Sequence, residues 1–500
     1  MTSDTELAIV DPAGELPGAC APESDPGTAF ADAARRRLRW LRRVSAPDLR
    51  ALDPARAMAL RDCWSALWRS RLLVWVAGAG TLLTYGFGPM RHAFNPPGLT
   101  RGFGWLGDAL AAPAVRWDAS WYLVIAHYGY RPDLGSFTAP RDAFFPLYPL
   151  GLRSLGWVGV PLVLGGVLIS LLAFAFALYG IHRLTTLELA RVVRVGGKSL
   201  LGAGRDGAAG DGNGVMRADV ARLAVMVTAF APMAFYFSAV YSEALYLALS
   251  VGLFYAARNG RFAVVGVLGA LAGATRSAGL VLLVPALILY LYGPREDRPP
   301  DFPAARGLAP RYRLRKDLLW LALVPLGLAL YMTYLGLAGG DPLSPFHAQD
   351  VWRRDFGGPY IGIWDGIRAA FEGARQLLSG QQGHLYYPIT GHSAFVNSEH
   401  NLLLLAFLLA AVVAIAGVLR RLPLAYGAYV IAALALPLSY PVTAQPLMSL
   451  PRFLVVLFPL SIWFAAWLAA HPRAQRPALL GSGLLMAFFL AQFATWHWVA

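Results

Sequence analysis

Lysine and cysteine are almost missing from this 500-residue chain, which has two of each: Lys198 and Lys316, Cys20 and Cys63. Two cysteines, both ahead of the first long apolar run, cannot build a disulfide framework, which excludes a small stapled secreted fold. Charge is scarce as well, with 14% Asp, Glu, Lys and Arg against about 25% in an ordinary soluble domain. Hydrophobic residues reach 57% and mean hydropathy is +0.49, so a purely soluble enzyme is excluded. Residues 1–70 hold no apolar core followed by a small-residue cleavage site, so no removable signal peptide is expected and the first spanning helix should start insertion itself. Arginine in place of lysine, with abundant alanine, points to a GC-rich bacterial source.

What is present is length enough for a polytopic membrane protein. A spanning helix takes roughly 20 apolar residues, and apolar runs near 72–89, 158–181, 220–239, 243–257, 261–275, 278–293, 318–338, 401–419, 422–438, 453–470 and 477–497 predict about eleven crossings. The net charge of +14 could suggest nucleic acid, but the arginines are scattered between apolar runs and read as topology signals, with no nucleic-acid partner. Residues 1–34 have the composition of a disordered cytoplasmic tail. Residues 35–71, with Trp40, Trp64, Trp68, Arg69 and Arg71, read as a basic juxtamembrane anchor. Residues 72–500 form the multi-pass domain.

Placing the arginine-rich amino terminus inside puts the inner segment 182–219, the turn at Arg258 and Arg261, the stretch 294–317, and Arg420, Arg421, Arg473 and Arg476 inside too. One topology thus satisfies every short basic loop. Two long outer loops remain, about 90–157 and about 339–400. Within the inner segment, residues 196–214 are glycine-rich and contain Gly-Gly-Lys-Ser. Val192 stands where a phosphate-binding loop needs its first glycine and no strand precedes it, so this stretch reads as a flexible linker. There is no internal repeat.

Four polar motifs interrupt apolar sequence, and all four fall on the outer face: Arg116-Trp117-Asp118 with the Phe144–Pro149 run, Tyr241-Ser242-Glu243, Thr275-Arg276-Ser277, and Ser449-Leu450-Pro451-Arg452-Phe453. Ionisable groups at a membrane boundary are costly unless paired or used. Asp118 is either a helix cap or a general base that takes a proton from an acceptor hydroxyl, with Arg116 favouring its charged form. Trp117, Trp121, Val124 and Tyr128 share a helical face, which predicts a helix lying flat at the interface with its apolar side in lipid. Glu243 at a helix start suits the dipole without further purpose. Arg276 reads equally as an anchor or a ligand group. Arg452 stands at the wrong end of a helix dipole on the arginine-poor side, and so asks for either a phosphate or an internal salt bridge, with Glu243 the suggested partner. His384, His392, Glu399 and His400 have no familiar metal spacing and read as surface or substrate-lining groups. A divalent metal is possible, though no cluster demands one. Trp352, Tyr360, Trp364, Tyr386 and Tyr387 suit either sugar stacking or an interfacial belt.

Taken together, Trp117-Asp118, Trp121-Tyr122-Leu123, Ile125-Ala126, Gly129-Tyr130, Phe144 to Pro149, Tyr241-Ser242-Glu243, Arg276-Ser277 and Pro451-Arg452-Phe453 resemble the PIG-V family. Its eukaryotic members are GPI mannosyltransferases that add the second mannose. The resemblance runs in scattered blocks from about residue 72 to 470. It implies a bacterial member of the GT-C glycosyltransferases, an all-α bundle in the cell membrane that takes sugar, usually mannose, from a polyprenyl-phosphate sugar donor and transfers it with inversion. Asp118 matches the catalytic acidic position in the first outer loop, and Arg116, Trp117, Tyr122, Tyr241, Glu243, Arg276 and Arg452 are candidate substrate-binding residues. The acceptor would be a glycolipid, glycan or protein outside. A lipid flippase or transporter is the alternative, but it predicts charges near helix middles and related halves. A non-catalytic scaffold is a third reading.

Overall fold

The computed structural model describes residues 53–88, 94–131, 140–195, 212–303, 309–383 and 393–499, all within one compact unit, Arg50–Ala500. Helices dominate these residues, and only three isolated β-bridges occur among them. The chain runs α1 (Pro54–Tyr85), α2 (Gly104–Ala111), α3 (Ala119–Tyr128), α4 (Leu147–Trp157), α5 (Leu162–Val195), α6 (Gly212–Ala229), α7 (Glu243–Arg258), α8 (Phe262–Gly273) and α9 (Leu283–Tyr292). It continues with α10 (Leu326–Gly339), α11 (Ser344–His347), α12 (Pro359–Ser379), α13 (Ala394–Arg421), α14 (Leu424–Leu438), α15 (Leu450–Val455), α16 (Phe458–Ala470) and α17 (Pro472–Ala494).

Each of the eleven apolar segments is largely helical. By length and composition, Leu162–Leu189 of α5, α13 and α17 can each cross a membrane, and so can the bent pair Lys316–Leu323 and α10, which meet at 41°. The remaining apolar helices are shorter, and prolines explain several of the interruptions. Pro232 follows the end of α6, Pro325 marks the 41° bend, and Pro451 and Pro459 sit at the starts of α15 and α16. Interrupted backbone is tolerated at membrane depth where protein covers it or a cavity uses it. Among the described residues, the breaks after α6, after α8 and before α15 hold three of the four polar motifs.

Small residues let the backbones close up. Gly266 and Gly269 of α8 face Trp320 and Val324 of the bent pair, and a Cβ on Gly327 would overlap the Ala270 carbonyl. In the second long loop, α12 turns Gly362, Gly366, Ala370 and Gly373 toward the protein and leaves Tyr360, Ile363, Trp364, Ile367 and Phe371 exposed.

Several expectations need correction. The apolar run from residue 72 continues a helix that begins at Pro54, where Asp53 caps it by accepting from the Arg56 N–H. Arg71 is no interfacial anchor. It is buried in the bundle and donates to the carbonyls of Ala229 and Ala234 and to the Ser238 hydroxyl. It thereby satisfies carbonyls that the break after α6 leaves open. Helix α3 does not lie flat in lipid, because Ala119, Ser120 and Tyr122 to Ala126 are all buried in protein. Residues 212–214, expected in the glycine-rich linker, open α6. The tail 1–34, the linker up to residue 211, His384, Tyr386, Tyr387 and His392 lie outside the described residues.

Candidate active site

The turn before α3 is held from two sides. Trp117 adopts a left-handed backbone, φ 55°, a costly conformation for a bulky residue that only surrounding structure can sustain. Tyr241 clamps it: its hydroxyl donates to the Arg116 carbonyl at 2.9 Å and accepts from the Asp118 N–H at 3.1 Å. The carboxy-terminal aromatics close the other side, with Trp496 and Trp498 edge-on to the Trp117 ring. Asp118 stands at the cap position of α3, yet its side chain makes no capping bond. Its Oδ2 instead accepts from Nη1 of Arg452 at 2.7 Å.

Arg452 reaches further. Its Nε lies 3.0 Å from Oε1 of Glu243, and Nη1 of Arg276 also lies 3.0 Å from that oxygen. Asp118, Arg452, Glu243 and Arg276 therefore form one continuous chain of ion pairs drawn from four separate elements. The guanidinium of Arg452 sits over the rings of Tyr236, Tyr241 and Phe453, and that of Arg276 over Phe453. Rings hold the cations in place while leaving their charge uncompensated. Glu243 is 1% exposed and Asp118 is 20% exposed, so only Asp118 offers its carboxylate to an incoming molecule.

Below the cluster, the Tyr122 hydroxyl shares a 2.9 Å hydrogen bond with Ser242, and its ring packs edge-on to Phe144 and Tyr148. The Leu147 N–H donates to the Ala274 carbonyl, tying the Phe144–Pro149 run to the turn that carries Arg276. The two long loops also meet here. Phe144 contacts Trp352, and Ser344 donates to the buried Asp142 carboxyl, which burial raises above the ordinary carboxylate range.

Compared with known protein families, curated proteins and solved structures, the chain matches none.

The motifs legible in the sequence thus converge, but their partners differ from expectation. Arg116 does not act on Asp118: it donates to the carbonyls of Val115 and Ala494 and stacks on Trp496, so it braces the turn. Arg452 does join Glu243, and it also takes Asp118, a pairing that spacing alone gave no reason to expect. Sequence reasoning missed Tyr236, Trp496 and Arg354. Arg354 had a usable signal, since it follows Arg353 in a segment that the charge pattern assigns to the arginine-poor side. Among the described residues, no group of three or more His, Cys, Asp or Glu side chains is placed to hold a metal. Glu399 and His400 lie on α13, where His400 Nδ1 is 3.4 Å from Gln445 Nε2.

Proposed function

We propose that the chain is a membrane glycosyltransferase of the GT-C class, related to the PIG-V family, that transfers a sugar, mannose by preference, from a polyprenyl-phosphate sugar to an acceptor hydroxyl. The observation that carries this reading is the partly exposed Asp118 carboxylate. It is oriented by a largely enclosed arginine and a tyrosine-clamped strained turn, at the mouth of a cluster whose other carboxylate is sealed. A carboxylate fixed by its neighbours, with one oxygen left for a ligand, is what a general base requires.

The acceptor O–H gives its proton to Asp118 while its oxygen attacks the anomeric carbon from the face opposite the phosphate. The bond from that carbon to the phosphate oxygen breaks, the sugar inverts, and polyprenyl phosphate departs. Arg452 holds Oδ2 and leaves Oδ1 toward the acceptor. The donor carries its own activation, so the absence of a phosphate-loop pattern fits. In this reading the chain makes about eleven crossings with its amino terminus in the cytoplasm, the cluster faces outward, and α12 rests its exposed aromatic face on the outer leaflet. The four ion-paired charges of the cluster stand at helix ends and the sequence shows no repeat, which favours an enzyme over a flippase.

The full chain in liposomes should move labelled mannose from a polyprenyl-phosphate donor to a membrane acceptor. A complete lack of transfer with membrane extracts from several bacteria as acceptors would sink the reading.

A further inference from the structure

The cluster's charges do not balance. Two carboxylates, Asp118 and Glu243, are shared between two guanidiniums, Arg452 and Arg276, and a third guanidinium acts on the same place. Arg354 interacts electrostatically with both Arg452 and Asp118. Among the described residues its side chain has neither a hydrogen bond nor an ion pair. The sum is one positive charge in excess.

The backbone presents Arg354 with care. Arg353 adopts a left-handed φ of 53°, and its N–H donates to the Asp350 carbonyl. Arg354 then forms an antiparallel bridge with Val442, and the Gly357 N–H donates to the Ser439 carbonyl. Both contacts fasten this loop to the segment that leads into α15 and Arg452. Among the described residues, five non-glycine residues have positive φ, and three of them directly introduce the charged groups: Trp117 before Asp118, Arg353 before Arg354, and Ser449 at the cap of α15. Strain of this kind persists only where surrounding structure enforces it, and it gathers at functional sites. Beside Arg354 an aromatic row runs from Trp352 through the buried Phe144 and the partly buried Trp121 to the exposed Phe94, and its open end suits a sugar ring or an isoprenoid.

We infer that Arg354, rather than the ion-paired Arg452 and Arg276, is the receptor for the anion, and that its ligand is a lipid-borne phosphodiester bearing a single negative charge. The inference rests on the glycosyltransferase reading for the identity of that diester as the sugar donor. A monoanion cancels the excess charge, whereas a phosphate monoester would overfill it. A planar guanidinium offers two parallel N–H groups to phosphate oxygens. Burial and the nearby Arg452 pull the proton affinity of Arg354 down to about 10, still well above neutrality, so the group is cationic when it meets its ligand.

The test uses the full chain in phosphatidylcholine nanodiscs, with a short-chain alkyl phosphoryl-mannose as probe. Arg354→Gln should weaken probe binding about tenfold to a hundredfold, the range of a charge-assisted hydrogen bond, with an unchanged Tm. Arg354→Lys, which keeps the charge and loses the fork, should fall between. Equal binding by Arg354→Gln and wild type overturns the proposal. Should Arg354→Gln not fold, an unchanged affinity in Arg354→Lys overturns it instead. Competition separates the possible sources: phosphatidylglycerol displacing the probe at equal concentration assigns the site to bulk lipid and removes the donor assignment, and inorganic phosphate doing so removes the diester preference. Arg354-dependent binding without any sugar transfer keeps the anion site and fails the glycosyltransferase reading. Sugar transfer with Arg354-independent binding does the reverse.

Discussion

Helix α7 carries two ion networks, one at each end, separated by roughly 22 Å of helix at 1.5 Å per residue. At its carboxy terminus Arg258 is wholly buried and saturated: Nε donates to Glu188 at 2.6 Å, Nη1 to the Pro294 carbonyl and Nη2 to Glu296, while Tyr426 donates to the same Glu188 oxygen at 2.9 Å. At its amino terminus Glu243 joins a cluster that is open on one side, rich in cations, and set on strained turns. Both networks are built from arginine and carboxylate. A group whose guanidinium is wholly enclosed and held by two carboxylates serves to hold helices together, whereas a partly exposed group with a cation to spare has capacity for a ligand.

The largest separation between the two ends should come from Asp118→Asn. Sugar transfer, followed as the initial rate of labelled product, should drop about a hundredfold to ten-thousandfold, the contribution of a positioned general base. The Tm should barely move, because Asn still accepts from Arg452. A rate near that of wild type would remove Asp118 from the chemistry. Arg258→Ala should do the opposite and destabilise the chain by about 3–5 kcal/mol by stranding a buried carboxylate, as read by chemical denaturation. The double change Arg258→Met with Glu188→Leu should recover much of that loss, since no buried lone charge remains and Glu296 is exposed enough to stay hydrated. Failure to recover would mean that the network has a use beyond cohesion.

Smaller effects sharpen the contrast. Tyr241→Phe removes both bonds that clamp the Trp117 turn and should lower transfer by about tenfold, roughly 1–1.5 kcal/mol, together with a loss of stability of about 1–3 kcal/mol. Tyr426→Phe, which loses one bond in the enclosed network, should cost about 1 kcal/mol of stability and leave the transfer rate unchanged. Smallest of all, the Asp142 junction between the long loops should show a pH dependence. Its carboxyl is raised in the folded state, so its favourable contribution is present at low pH and fades as pH rises from the ordinary carboxylate range through the raised value. Asp142→Asn should flatten that slope in Tm.

The apolar helices were open to reading, because a helix that meets lipid must present a long run of apolar side chains. The polar motifs were conspicuous for the complementary reason, as interruptions where charge is expensive. The pairing of those motifs was hidden. Arg452 and Asp118 stand 334 positions apart, and no local rule chooses between Glu243, Asp118 and a ligand as its partner. Arg116 misled because sequence adjacency suggested a contact that the strained turn at Trp117 prevents. Arg71 and α3 misled because their amphipathic or basic character matches an interface, while the bundle supplied carbonyls for one and packed neighbours for the other.

Sequence by itself determined the solvent of this protein and its helical state, since those follow from composition and periodicity summed over short windows. Only the tertiary structure decided which charges cancel and which remain. Electrostatic balance depends on distances of a few ångströms between residues hundreds of positions apart, and the folded arrangement alone sets those distances.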